Sequence, residues 1–277
     1  MKFNILYLLL LCNSVFGQTQ LEFNKSHIEC EDKWVFYPVK DSSYTYGFVY
    51  IDDQAGPTMQ YGGSFKITAD GRYRLNESQI KESIKVRLLP NSGPVAIMPE
   101  SKLSELQLPV RPDWLIHYKS DTTSARHLYR WGFIYNEFGK PELALTFLEK
   151  ARQTDPNYKG LLSELAYTYN AVEKYERALD ITNEIREKTC YDYKELTYAL
   201  IKLLRLTEAD LKCKEAISAC DDKNMKAEIA FNMAGAYFEQ NDQDHYYTWS
   251  KETKKWAEAN DMFSVNIKKL DSKMKEK

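Results

Sequence analysis

Apolar residues follow two different rhythms along this chain. From residue 20 to about 110 they come in short runs, WVFYPV, YTYGFVYI, GSFKIT, GRYRL and IKVRLL, which are aromatic or β-branched, partly alternating, and separated by Gly, Pro, Asn and Asp. Such runs predict β-strands. In SFKITADGRYRL, Phe65 and Ile67, then Tyr73 and Leu75, fall on one face of two strands, and Asp70-Gly71 can take the positive φ angles of a tight turn. Gly62-Gly63 reads as a strand bend or bulge. Strands at intervals of about ten residues predict a small antiparallel β-sandwich over residues 18–120. The segment LPVRPDWLIHYKSDTTS, 108–124, carries two prolines and then a polar cluster. After it the period changes from two to 3.6, which places a boundary near 120.

The second half repeats itself. GFIYNEFGKPELALTFLEKARQTDP, 132–156, and LAYTYNAVEKYERALDITNEIREKT, 165–189, are near copies. Every thirty-fourth residue gives columns that stay apolar or small: Leu128, Leu162, Leu196 and Ala230; Trp131, Leu165, Ala199 and Met233; Gly132, Ala166, Leu200 and Ala234; Tyr135, Tyr169, Leu203 and Tyr237. This period predicts paired antiparallel helices stacked in an array. In the first unit Trp131, Gly132, Tyr135, Gly139, Ala144, Leu148, Ala151 and Asp155-Pro156 match the pattern of the tetratricopeptide repeat (TPR), and the chain resembles that family. The second unit keeps Ala166, Tyr169, Tyr175 and Ala178, with Cys190 where the proline would stand. In the third, Ala209, Cys213 and Ala216 come about three residues early, which predicts a shortened hairpin loop; CDDKNMK then restores the phase. The expected fold is therefore α+β in two domains: the sandwich, then a right-handed α-helical solenoid of about four hairpins over 121–260, closed by a capping helix and lysine-rich tail at 261–277.

GFVYIDDQAGP followed by GGSFKITADGRYRL resembles the carboxypeptidase regulatory-like sandwich, a non-catalytic module, through Gly47, Val49, Gly56, Asp70, Gly71, Tyr73 and Leu75; Ile51-Asp52 falls one residue late in that pattern.

The chain begins MKFNILYLLLLCNSVFGQ, one Lys before an apolar run from Ile5 to Cys12 and then a small-residue stretch, the layout of a secretory leader cleaved after Gly17. No stretch approaches the roughly 20 apolar residues of a membrane span. Leu11 is not the small residue that normally precedes a lipid-bearing cysteine. Loss of Lys2 with the leader moves the formal charge from -2 to about -3, so there is no polybasic footprint for nucleic acid. An exported chain could form disulfides, and Cys190 could reach Cys213 or Cys220 from the neighbouring hairpin; buried free thiols are the alternative. Leader and domain pairing together resemble exported TPR proteins of the Bacteroidetes, which implies a periplasmic or outer-envelope location or secretion. In a eukaryotic secreted protein Asn24 and Asn76, both in N-x-S sequons, could carry glycans.

Sites for chemistry are lacking in the sequence. His27, His117, His127 and His245 are far apart, no Gly-rich phosphate loop or G-x-S-x-G elbow occurs, and Asp52-Asp53 lacks the alternating ligands of a calcium loop. No catalytic, cofactor or metal site is expected, and the chain reads as a non-enzyme.

The TPR resemblance implies a concave groove lined by the first helix of each hairpin. The 34-residue register then points Arg126, Tyr129, Phe133, Asn136 and Glu137 into it, with Ser163, Tyr167 and Asn170, then Lys194, Thr197, Ile201 and Arg205, then Phe231, Phe238 and Glu239. Aromatic and Arg side chains interleaved with Asn suit an extended peptide or a helix, and Asn136 and Asn170 could grip successive peptide groups. Tyr129 and Phe133 occupy positions where the family's carboxylate clamp has Lys and Asn, so no clamp is expected. The partner expected is a protein or peptide, with no nucleic acid and no integral membrane span. Packing of Phe133, Tyr167 and Ile201 against neighbouring structure is the competing reading. A glycan partner is a further alternative, because 13% of residues are aromatic and 20 are tyrosine, and the starch-binding family of the outer membrane also embeds TPR hairpins. A hydrolase site scattered over the N-terminal domain is another.

Overall fold

The structure, a computed structural model, describes residues 21–40, 42–76, 83–119 and 121–276. The leader expected over 1–17 lies outside them. Among the described residues no helix is long and apolar enough to cross a membrane. The chain divides into two compact units, the first ending at Tyr118 and the second beginning at Lys119.

The first unit is one antiparallel sheet, not the expected sandwich. Its strands are β1 (Lys33–Phe36), β2 (Tyr44–Asp52), β3 (Gly56–Ile67), β4 (Tyr73–Leu75), β5 (Lys85–Arg87) and β6 (Ala96–Ile97). They run in the order β4-β3-β2-β1-β6, and β5 also pairs with β3. The 12-residue β3 holds both short strands at its outer edge, β4 along 65–67 and β5 along 58–60. Gly62 is the extra residue where the register shifts, so that Tyr46 faces Gly63 while Gly47 faces Tyr61. A Cβ at Gly62 would meet the Tyr46 ring at 2.4 Å, so a bulge here needs glycine.

Alternation along the strands sorts two faces. Trp34, Phe36, Tyr46, Phe48, Tyr50, Phe65 and Tyr73 share one; Val35, Val49 and Met59 lie on the other with Cys30, Leu88 and Val95. The aromatic face is covered by short helical segments: α1 (Glu100–Leu103) and 3-10 turns at Ser104–Leu106 and Asp113–Tyr118. Leu103, Leu106 and Leu115 are buried there, and Trp114 crosses Phe48 and Tyr50 edge-on with ring centroids at 5.6 and 5.0 Å. The proline-bearing segment ahead of the expected boundary thus supplies the second layer. Trp34 anchors it by donating from Nε1 to the Pro109 carbonyl at 2.8 Å.

The second unit consists of four hairpins, α2 (Ala125–Glu137) with α3 (Pro141–Thr154), α4 (Leu161–Ala171) with α5 (Tyr175–Glu184), α6 (Cys190–Lys202) with α7 (Leu206–Ala219), and α8 (Lys223–Glu239) with α9 (Gln243–Trp256), followed by α10 (Met262–Glu276). Each hairpin turns through three residues, the middle one left-handed: Gly139 at φ 66°, Glu173 at 60°, Leu204 at 57° and Asn241 at 56°. These four residues mark the register better than side-chain identity does. From 139 to 173, 173 to 204 and 204 to 241 the spacing is 34, 31 and 37 residues.

The third hairpin loop is therefore not shortened. The three missing residues fall upstream, where α5 has 10 residues against 14 in α3 and α6 starts early. The three are recovered before the fourth turn, where α8 reaches 17 residues. In the corrected register Thr197 takes the place of Gly132 and Ala166 at the helix crossing. Gly132 is required there, because a Cβ would stand 2.4 Å from Leu148 Cγ.

At the C-terminal end α10 docks on α8 and α9. The ring of Phe263 lies 5.7 Å from that of Phe231. Asp271 accepts from Tyr246 Oη at 3.0 Å and Ser250 Oγ at 2.7 Å and pairs with Lys254 Nζ at 2.6 Å.

Candidate functional site

Helix packing decides which side of the hairpin stack is the inner one. The helix α2 meets α4, α4 meets α6 and α6 meets α8, whereas α3, α5 and α7 have no comparable contacts with one another. The first helices therefore sit closer together and line the tighter wall.

On that wall Tyr129 and Phe133 of α2 are half-buried with ring centroids 6.5 Å apart. Tyr129 also lies 5.1 Å from the Tyr158 ring, and its hydroxyl comes within 3.0 Å of where a Gly160 Cβ would be. With φ at 83°, Gly160 lets the chain enter α4 beneath that ring. Tyr167 is half-buried 6.4 Å from the ring of Tyr191. Lys194 Nζ lies 4.7 Å from the Tyr191 ring centre, 3.1 Å from Glu195 Oε1 and 3.9 Å from Glu228 Oε1. Arg126, at the start of α2, is exposed and 3.6 Å from Asp121 Oδ2.

Two groups of expected site residues lie elsewhere. Arg205 belongs to the turn before α7, where it caps the helix and pairs with Glu208 at 2.6 Å; the three-residue slip carries it off α6. Thr197 leaves the wall for the same reason. Asn136 and Asn170 are 7% and 5% exposed, and their amides serve the protein itself. Asn136 Nδ2 donates to Glu164 Oε1 at 2.6 Å and Thr168 Oγ1 at 2.7 Å. Asn170 Nδ2 donates to Glu195 Oε2 at 2.8 Å and the Glu195 carbonyl at 3.0 Å. The asparagines are rungs between successive first helices, not grips for a ligand.

The rungs reveal residues that the uniform 34-residue count misses: Glu164, Tyr191 and Glu195. Counting back from each left-handed turn would have found Tyr191, which it aligns with Arg126, and it pairs Glu164 with Glu195 in the column of Arg130. Burial pushes the Glu164 carboxyl up, opposed by the Asn136 amide. Burial likewise raises Glu195, against the pull of Lys194 and Asn170. The Tyr191 hydroxyl is pushed up by burial and then by Glu195 and Glu164. Glu195 and Glu228 both approach Lys194, while Glu164 feels the repulsion of Glu195 and Glu137.

A second depression of about 710 Å³ lies among Glu149, Arg152, Pro156, Tyr169, Arg177 and Glu184, away from that wall. Several of its polar groups are engaged with one another: Arg152 Nη2 reaches both Glu184 oxygens at 2.8 and 2.9 Å, and Tyr169 Oη donates to Glu149 at 3.0 Å. Among the described residues no group of three or more His, Cys, Asp or Glu side chains converges as a metal ion needs.

No family model and no curated protein matches the chain. Several solved structures are similar in fold. MamA from AMB-1 is 19% identical, over 48% of this chain and 78% of its own, with a TM-score of 0.41. YrrB, a TPR protein with an unusual peptide-binding site, is 15% identical over 52% and 75%, with a TM-score of 0.41. PilF of Pseudomonas aeruginosa is 13% identical over 62% and 75%, with a TM-score of 0.43. Similarity at this level carries no functional argument.

Proposed function

We propose that the chain is a non-catalytic binding scaffold that holds a protein or peptide partner against the inner wall of its hairpin stack, and that the partner presents a cationic side chain to the cluster around Glu164 and Glu195. One observation supports this above the others: the wall combines half-buried aromatic faces, Phe133, Tyr167 and Tyr191, with neighbouring carboxylates, Glu164 and Glu195, that repel one another. A Lys or Arg group would be favoured both by the carboxylates and by the ring faces. An exported setting at the cell envelope, as the leader suggests, is part of the proposal. YrrB's peptide-binding site is a property of YrrB and offers a precedent for a TPR stack, not a transfer.

A sugar partner has less behind it. Among the described residues Tyr247, at 41%, is the most exposed aromatic side chain; the others lie in cores or are half-covered.

Panning a random peptide display library on the purified chain tests the reading. Enriched peptides are expected to carry Lys or Arg, and binding should fall at least tenfold in Phe133→Ala/Tyr167→Ala with helical content unchanged. Undiminished binding by that double variant would remove the wall as the site.

A further inference from the structure

We propose that Cys190 and Cys220 are a redox pair, a disulfide site that closes across the open end of the third hairpin by exchange with a small-molecule disulfide such as oxidised glutathione. Cys190 is the first residue of α6, behind the Thr189–Asp192 capping box, and Cys220 caps the C-terminal end of α7. The two helices run antiparallel through a three-residue turn, which brings the start of one beside the end of the other. Three rungs fix the register: Thr197 meets Cys213, Tyr193 Oη donates to Glu215 Oε1 at 2.6 Å, and at the open end the Cys190 and Cys220 sulfurs lie within hydrogen-bonding reach of each other.

The other thiols are excluded by position. Cys213 is fully buried on α7, about 10 Å from Cys220 at 1.5 Å per residue, and Cys30 is fully buried in a core with Val35, Val49 and Val95. Cys190 is partly exposed while Cys220 is 2% exposed, so an outside reagent meets Cys190 first. Its thiolate attacks one sulfur of glutathione disulfide, forming a mixed disulfide and expelling one glutathione thiolate. Cys220 then gives up its proton to solvent and attacks the Cys190 sulfur, expelling the second glutathione. Two protein thiols are oxidised and one glutathione disulfide is reduced to two thiols. Burial and the neighbouring Cys190 push the Cys220 thiol up to about 12.

The staple would lie beside both irregular connections of the stack, the short one that enters α6 and the one that leaves α7 for the longer α8. It would tie the two ends of the hairpin whose spacing departs from the repeat. This inference does not depend on what the inner wall binds.

The full chain, equilibrated with excess oxidised glutathione, quenched in acid, alkylated in denaturant and digested without reduction, provides the test. Expected are a Cys190 peptide joined to a Cys220 peptide, an intact mass lower by two hydrogens, and alkyl groups on Cys30 and Cys213. The oxidised chain should also melt at higher temperature than the reduced one, since the link restricts the unfolded ensemble. Cys213→Ser should keep the link, and Cys220→Ser should leave glutathione on Cys190. The wild-type digest alone decides: alkylation of both Cys190 and Cys220, glutathione retained on wild-type Cys190, or a link between any other pair would overturn the proposal.

Discussion

Glu164 shows how one side chain can work against the fold it belongs to. It is 7% exposed, its charged form is disfavoured by burial, and a single asparagine amide compensates. Because its folded pKa is raised, the folded chain binds more protons than the unfolded one between the ordinary glutamate value and the raised value. Stability therefore falls as pH rises through that window. Glu164→Gln keeps an acceptor for Asn136 and cannot ionise. The variant is expected to melt above the wild type at pH 7, with the difference closing below about pH 4, where the ordinary carboxyl is also protonated. Thermal melts at several pH values check this, and a variant that melts lower at pH 7 would show that the charge is retained for stability. The same buried position explains why the asparagine pair misled the sequence reading. A polar residue at a fixed register position looks alike whether it faces a ligand or the next helix, and only the Glu164 and Thr168 partners tell the two apart.

At the scale of elements, what could be read from the pattern depended on whether side chains alone set the outcome. The β3–β4 pairing was legible: Phe65 pairs with Leu75 and Ile67 with Tyr73, all packed on one face. The part of β3 before Ser64 was not, because Gly56, Pro57, Gly62 and Gly63 obscure the alternation that its pairing with β2 enforces. A pattern of inward and outward residues also says nothing of what covers a face, which is how a single sheet with a helical lid reads as a sandwich. The helical hairpins were legible from the period, and Tyr129, Phe133 and Tyr167 fall on first helices as the register expects, whereas Lys194 lies on α6 although the count that chose it is three residues out. The slip before α6 was misplaced, since Leu200 and Thr197 can each be aligned with a small position and the deciding feature is a backbone angle. Leu204 takes that left-handed angle, which costs an L-residue other than Gly or Asn roughly 1–2 kcal/mol. Its side chain is 70% exposed and Asn241 already fills the equivalent turn. Leu204→Asn should therefore stabilise the chain by up to about 1 kcal/mol in urea unfolding; a loss of stability would mean that the Leu204 side chain has a hidden partner.

At the scale of the helical unit, α10 closes a stack that would otherwise end on an apolar face. Phe263, Ile267 and Met274 are buried, and Asp271 gathers three donors from α9. A chain ending at Glu258 should lose several degrees of melting temperature and bind an apolar dye such as ANS at the exposed α8–α9 surface. Unchanged melting and no dye binding would show that α10 is dispensable.

The asparagine rungs give this stack a fixed order of assembly. Asn136 needs a successor that offers both Glu164 and Thr168, and Asn170 needs one that offers Glu195. In the third hairpin the equivalent place is held by Ile201, which has no amide to give. If the second and third hairpins traded places, Ile201 would face Glu164 and leave a buried carboxylate without its donor. Shuffled concatemers of these modules, which uniform arrays tolerate, would here discriminate one sequence of units from its permutations.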